Sequence, residues 1–253
     1  MRPFFVSVVL ATLSTPLTAQ APGKWPPDSL VNVKVVPRNT PVMQLVGTMR
    51  NITFALGVRC QFCHVGEEGM PLERFDFAKD EKRTKLVARQ MMQMVAEVNR
   101  RLDTLPPLHG PDSGRTRVEV TCATCHRGVS RPVPLFQLIL DVATAAGADS
   151  AIRTYRALRA RYHGRDAYDF GEASLNTTAF RLGRANRFDD AIAILNLNEE
   201  LFPNSSGMSV FRGNISLMRG DTTAAATAFR EAIRRDSTNA EARGRLRTIG
   251  RAP

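Results

Sequence analysis

All four cysteines of this 253-residue chain fall in two copies of one pattern, Cys60-Gln61-Phe62-Cys63-His64 and Cys122-Ala123-Thr124-Cys125-His126, which also take two of its four histidines. Two thiols three positions apart can each form a thioether with one vinyl group of a porphyrin, and the adjoining imidazole then reaches the iron. The two patterns therefore read as two covalently attached haem c groups, with His64 and His126 as iron ligands. Other uses of paired cysteines leave the histidines unexplained. A four-thiolate zinc site would join pairs about sixty residues apart, wider than the usual ribbon spacing, and local disulfides or a thioredoxin-like pair make no use of an imidazole.

Each iron needs a second axial ligand or stays open, so the elements ahead of the motifs matter. Thr40-Pro41 reads as a helix start, Thr as N-cap and Pro at the first helical position. From there Val42, Leu45, Val46, Met49, Ile52 and Leu56 recur at three- and four-residue steps and predict one apolar helical face ending near Gly57. A methionine on such a face is usually core filling. Because this helix runs directly into the first motif, Met49 is the candidate distal ligand of the first iron.

The second motif has a longer approach. Val87, Met91, Met94, Val95, Val98 and Leu102 predict one face of a helix from about Asp80 to Leu102. Met91 and Met94 share that face and are both candidates for the second iron, while Met92 points elsewhere. Pro106-Pro107 ends the helix, Gly110 to Gly114 reads as a loop, and Val118 to Val120 leads into Cys122. Helix, spacer and motif, twice over, point to an internal duplication. His109 lies in the loop, as an exposed residue or an alternative ligand. His163, beside Gly164, reads as structural. Arg127 directly follows the second motif, placed for a haem propionate or for plain solvent.

The first twenty residues read as a secretory signal: a basic start, an apolar stretch from Phe4 to Leu13, then small and polar residues with a cleavage site near Ala19 to Ala21. The expected location is the periplasm, with no integral membrane segment in the mature chain. The net charge is +11. It is spread, with 17 basic minus 11 acidic residues (+6) over 21–140 and 17 minus 13 (+4) over 141–253, and aromatics are sparse. That pattern argues against nucleic acid and suits a solvated surface, or a basic rim that steers an acidic redox partner.

Several runs carry a family resemblance. Val87-Ala-Arg-Gln-Met91-Met-Gln-Met94 with Val98-Asn99, then Val120-Thr-Cys-Ala-Thr-Cys-His-Arg-Gly128, resemble the multihaem cytochrome c subunit of photosynthetic reaction centres. So does Met49-Arg-Asn-Ile-Thr before Leu56-Gly-Val-Arg-Cys-Gln-Phe-Cys-His64. The likeness covers roughly residues 31–135. It implies helix-plus-motif units in which the helix supplies a distal Met: His64 with Met49 on the first iron, and His126 with Met91 on the second, Met94 being the rival. That family typically carries four such units, and this chain has two.

From Asp141 the composition turns to Ala, Arg and Leu, and a 34-residue self-similarity appears: Ala191 aligns with Ala225, Leu195 with Phe229, and Pro203 with Ser237. Two tetratricopeptide-like repeats, about 172–205 and 206–239, are expected, preceded by an amphipathic helix from about Asp149 to Tyr162. Such repeats bind peptides or proteins in a concave groove. The predicted class is mainly α: a signal at 1–20, a dihaem cytochrome c domain at 21–140 and a helical tail at 141–253. The expected function is electron transfer between a donor and an acceptor protein, with a reaction centre or a respiratory complex as candidate partners. A dihaem peroxidase and a repeat scaffold with haem as redox sensor are the alternatives.

Overall fold

The three-to-four-residue apolar period is realised as helix. A computed structural model describes residues 24–105 and 119–250, so the signal segment, His109 and the loop expected before the second motif lie outside the described residues. Among those described, the helices are α1 (Val42–Leu56), α2 (Arg83–Leu102), α3 (Cys122–His126), α4 (Leu135–Tyr162), α5 (Glu172–Arg184), α6 (Phe188–Leu201), α7 (Ser206–Arg219), α8 (Thr222–Arg235) and α9 (Ala240–Ile249). The only extended pairing described is an isolated bridge between Val65 and Asp76. The expected mainly α class holds.

Helix ends show where side chains overrule periodicity. Thr40 does not cap α1; its hydroxyl donates to the Pro37 carbonyl at 2.7 Å, and the first helical bond runs from Leu45 N–H to the Pro41 carbonyl at 3.1 Å. Helix α2 begins at Arg83 rather than near Asp80, because residues 77–80 are held in a non-helical bend by Lys85 and Arg89 of the helix itself.

The chain divides into two compact units: the described residues of Met1–Thr53 with Arg59–Thr116, and those of Phe54–Val58 with Arg117–Pro253. The first contains most of α1, the first motif and α2. Among its described residues no apolar side chain is buried, and its one buried residue is Lys85.

The second unit has a conventional core, and α4 runs through residues 140 and 141 within it. Leu135, Ile139, Ala143, Ala151 and Tyr155 of α4 pack with Leu175, Ala179 and Leu182 of α5 and Ile194 and Leu195 of α6, each 2% exposed or less. Helix α4 is broken at Gly147 (φ 81°, ψ 168°). Restarting a helix there leaves N–H groups without partners, and α6 supplies one: Ala148 N–H donates to Asp190 Oδ1 at 2.8 Å, while Arg187 Nε holds Oδ2 at 2.8 Å. Against the expectation of no membrane segment in the mature chain, α4 is long and apolar enough to cross a membrane by length and composition. The break and the buried stripe make it a core helix here.

Two helical hairpins follow, α5 with α6 and α7 with α8, at the 34-residue offset read from the sequence. The aligned pairs Ala191 and Ala225, Leu195 and Phe229 are all fully buried. Gly213 belongs at its position because a Cβ there would lie 2.5 Å from the Phe229 ring. A second cluster of Val210, Ala225, Phe229, Ala232 and Ala242 carries the core on to α9.

Candidate haem centres

Residues Cys60–Phe62 form a single 3-10 turn, and His64 N–H donates to the Cys60 carbonyl at 2.9 Å. Helical pitch here gathers positions i, i+3 and i+4 on one side, which is what two thioethers and an axial imidazole require of one porphyrin. The start of α2 pins the turn: Lys82 Nζ donates to the Gln61 carbonyl and Thr84 Oγ1 to the Phe62 carbonyl. Burial pushes the Cys63 thiol pKa up, partly opposed by Thr84 and Lys82.

The chain then loops back over His64. Asp76 N–H donates to the Val65 carbonyl at 2.9 Å, and the Asp76 carboxylate accepts from Ala78 and Lys79 N–H, both at 3.0 Å. Gly66 lets the Phe75 ring lie on the backbone, since a Cβ there would be 2.6 Å from it. Phe77 stands edge-on to the His64 imidazole with centroids 4.9 Å apart, and stacks on Trp25 at 4.7 Å and Phe75 at 5.5 Å.

Lys85 is the anchor of this loop. Its Nζ donates to the carbonyls of Phe77 (2.8 Å), Ala78 (3.1 Å) and Lys79 (2.7 Å) and pairs with Asp80 Oδ1 at 3.0 Å. Arg89 joins Asp80 Oδ2 at 2.8 Å to the Asn32 carbonyl at 3.0 Å. Hydrogen bonds from Arg89, then Asn32, then Lys85 hold the Asp80 carboxyl well below the usual range. Burial, then the charge of Lys85 and to a lesser degree those of Arg89 and Lys82, lower the His64 pKa to about 4, opposed by the Phe77 backbone carbonyl, which attracts the imidazole N–H. His64 Nδ1 is buried without a hydrogen-bond partner. An imidazole kept neutral keeps the lone pair that a metal needs.

The second motif is built differently. Cys122–His126 is one short helical turn; Thr121 N–H donates to Thr124 Oγ1 at 2.9 Å, satisfying a group the turn leaves free. Arg127 (φ 48°) and Gly128 (φ 89°) reverse the chain, so Val129 N–H donates to the His126 carbonyl at 3.0 Å. His126 Nδ1 lies 2.9 Å from the Val129 carbonyl; donating to it leaves Nε2 as the metal-facing nitrogen. The turn is docked on the end of α1: Gly128 N–H donates to the Ala55 carbonyl at 2.8 Å, and Gly57 (φ 64°) lies so close that a Cβ would sit 2.1 Å from the Gly128 carbonyl oxygen.

The predicted distal ligands lie on helices, as expected from their spacing. Met49 is half-buried on α1. On α2, Met91 and Met94 are 40% and 50% exposed in a stripe with Val87 and Val98, and Met92 is half-buried off that stripe. A continuous apolar stripe without protein over it marks a face meant to be covered. With the coreless first unit, it fits residues that pack on a porphyrin. Arg127 is exposed. None of the four cysteines is joined in a disulfide, and among the described residues no group of three or more His, Cys, Asp or Glu could hold a metal ion. Sequence reasoning missed Lys85, Asp80 and Phe77, and the pairing of Gly57 with Gly128. The charged run 79–83 just before Lys85 is the one sequence signal that could have pointed to them.

A family model described as the photosynthetic reaction centre cytochrome C subunit matches residues 28–159, just over half of the chain and including both motifs. No curated protein matches significantly.

Proposed function

The chain belongs to the photosynthetic reaction centre cytochrome c subunit family, and on that premise we propose that it is an exported dihaem c-type cytochrome that carries electrons between periplasmic redox proteins, a reaction centre or respiratory complex among them. Family membership implies covalently bound haem c and electron transfer rather than catalysis. Cys60 and Cys63 would hold one haem and Cys122 and Cys125 the other. His64 and Met49 are the proposed axial ligands of the first iron, His126 and Met91 those of the second, with Met94 as the rival and Arg127 at a propionate. Bound haem supplies a one-electron iron couple, and six filled positions leave no vacancy for substrate. The observation that carries this reading is that both motifs take the helical turn that gathers i, i+3 and i+4 on one side.

We assign residues 141–253 the role of a tetratricopeptide-like docking tail that follows the haem-carrying part at 21–140. Two hairpins at a 34-residue offset with matched buried pairs support it. The groove lined by Glu199, Arg212, Thr223, Thr227 and Glu231, about 590 Å³, is the surface we assign to the partner.

Two experiments test these assignments. The oxidised holoprotein is expected to show a Met-to-iron charge-transfer band in the near infrared, reduced in Met49→Ala and again in Met91→Ala; high-spin iron as purified would sink the electron-carrier reading. Thr223→Arg with Thr227→Arg is expected to slow reduction by the native partner and leave reduction by a small mediator unchanged. Equal rates with the native partner would remove the docking role.

A further inference from the structure

Burying an ammonium is costly unless the site satisfies it. Lys85, 7% exposed, is the only charged side chain buried among the described residues, and it is satisfied by three successive carbonyls and Asp80. The same bonds fix residues 77–79, so the Phe77 ring is held against His64 from behind. We propose that Lys85 is a positioning residue for the first haem, and that the charge cluster it centres gives the first haem the higher reduction potential of the two. This rests on the dihaem reading above.

Two independent features point the same way. Around Asp80 stand two cations, Lys85 and Arg89, against one carboxylate, and Lys82 adds a third cation on the Gln61 carbonyl. A net positive field close to a metal favours the oxidation state with less positive charge, the reduced one. The second feature is the far side of the imidazole. At the second motif, His126 Nδ1–H donates to the Val129 carbonyl at 2.9 Å, which makes the ring a stronger donor and stabilises oxidised iron. His64 Nδ1 makes no hydrogen bond of normal geometry; the Phe77 carbonyl lies near enough to act on the imidazole, but it already accepts from Lys85 at 2.8 Å and is the weaker acceptor for it. At equilibrium a single electron therefore rests on the first haem.

The test is spectroelectrochemical titration of the full holoprotein as wild type, Lys85→Met, Lys85→Arg and Asp80→Asn, with haem count and the Met band recorded on each sample. Lys85→Met is expected to lower the equilibrium constant for reducing the higher-potential haem about tenfold, ~59 mV for one electron. Asp80→Asn is expected to raise it, and Lys85→Arg to stay near wild type. Structural loosening alone would move Lys85→Met and Asp80→Asn in the same direction, and that result overturns the proposal, as does movement of the lower-potential haem. If Lys85→Met does not fold, the sign of the Asp80→Asn shift decides alone: upward supports the proposal, zero or downward overturns it. A missing haem or Met band in the wild type would instead overturn the dihaem reading.

Discussion

At the first motif a long return loop, an aromatic ring and a buried ammonium surround an imidazole whose Nδ1 is unbonded. At the second, a five-residue turn closes on itself, and its imidazole has a backbone acceptor 2.9 Å away. Five-residue patterns of one chemistry thus sit in unlike electrostatic settings. On the proposed reading, the motif specifies attachment and axial ligation, and what the neighbouring chain does with carbonyls and cations sets the character of each iron. The contrast extends to the units that carry them. Among the described residues every buried apolar side chain belongs to the second unit, so the second unit has its own core, whereas the first must gain its apolar burial from what binds it.

Removing the cofactor should therefore break the comparison most visibly. Protein produced without haem attachment is expected to be cleaved rapidly in limited proteolysis within residues 24–105, while α4 to α9 persist as a protected fragment. Equal protection of both regions would show that the first unit folds on protein contacts alone.

Gly57→Ala gives the next largest effect and bears on the second motif. It forces a side chain into a left-handed position and against the Gly128 carbonyl, 2.1 Å from the new Cβ. The strain alone costs about 1–3 kcal/mol. Haem loading at Cys122 and Cys125 is expected to fall more than at Cys60 and Cys63, read by mass spectrometry of the haem peptides.

Within the second unit, Asp190→Ala removes the cap that α6 lends to the restart of α4. A loss of about 1–2 kcal/mol is expected in denaturant unfolding followed by far-ultraviolet circular dichroism. Both potentials should stay unchanged.

The smallest effect is a pH dependence of the tail. Arg234 and then Arg235 lower the Glu231 pKa from 4.5 to about 2. A depressed carboxyl contributes stability that is fully present above its unfolded value and lost as pH falls through its folded one. The contribution of Glu231 should thus fade between about pH 4.5 and pH 2, and Glu231→Gln should flatten the thermal stability profile slightly in that window. A flattening above pH 5 would contradict the assignment.

What was legible in the sequence followed from local pattern. The cysteine spacing led to the turns, the apolar period led to α1 and α2 within a few residues, and the 34-residue offset fell on the hairpins. What was hidden depends on contacts across the chain. Helix α2 starts late because Lys85 takes the carbonyls of residues 77–79, and a lysine beyond a charged run looks solvated until those carbonyls are placed. The expected helix from Asp149 matches only the second half of α4. Its first half and the Gly147 break escaped notice because the cap on Ala148 comes from Asp190, 42 residues away. Gly57 marked only the end of a helix, and only its contact with the Gly128 carbonyl shows why it cannot carry a side chain.

The central claim is that each motif carries one haem closed to substrate, in two unlike settings. The most direct measurement is a redox titration of the purified holoprotein with visible and near-infrared detection. Two haems per chain, low spin when oxidised, with a Met band and two separate potentials, are the expected result. One haem, or high-spin iron at either site, would contradict it.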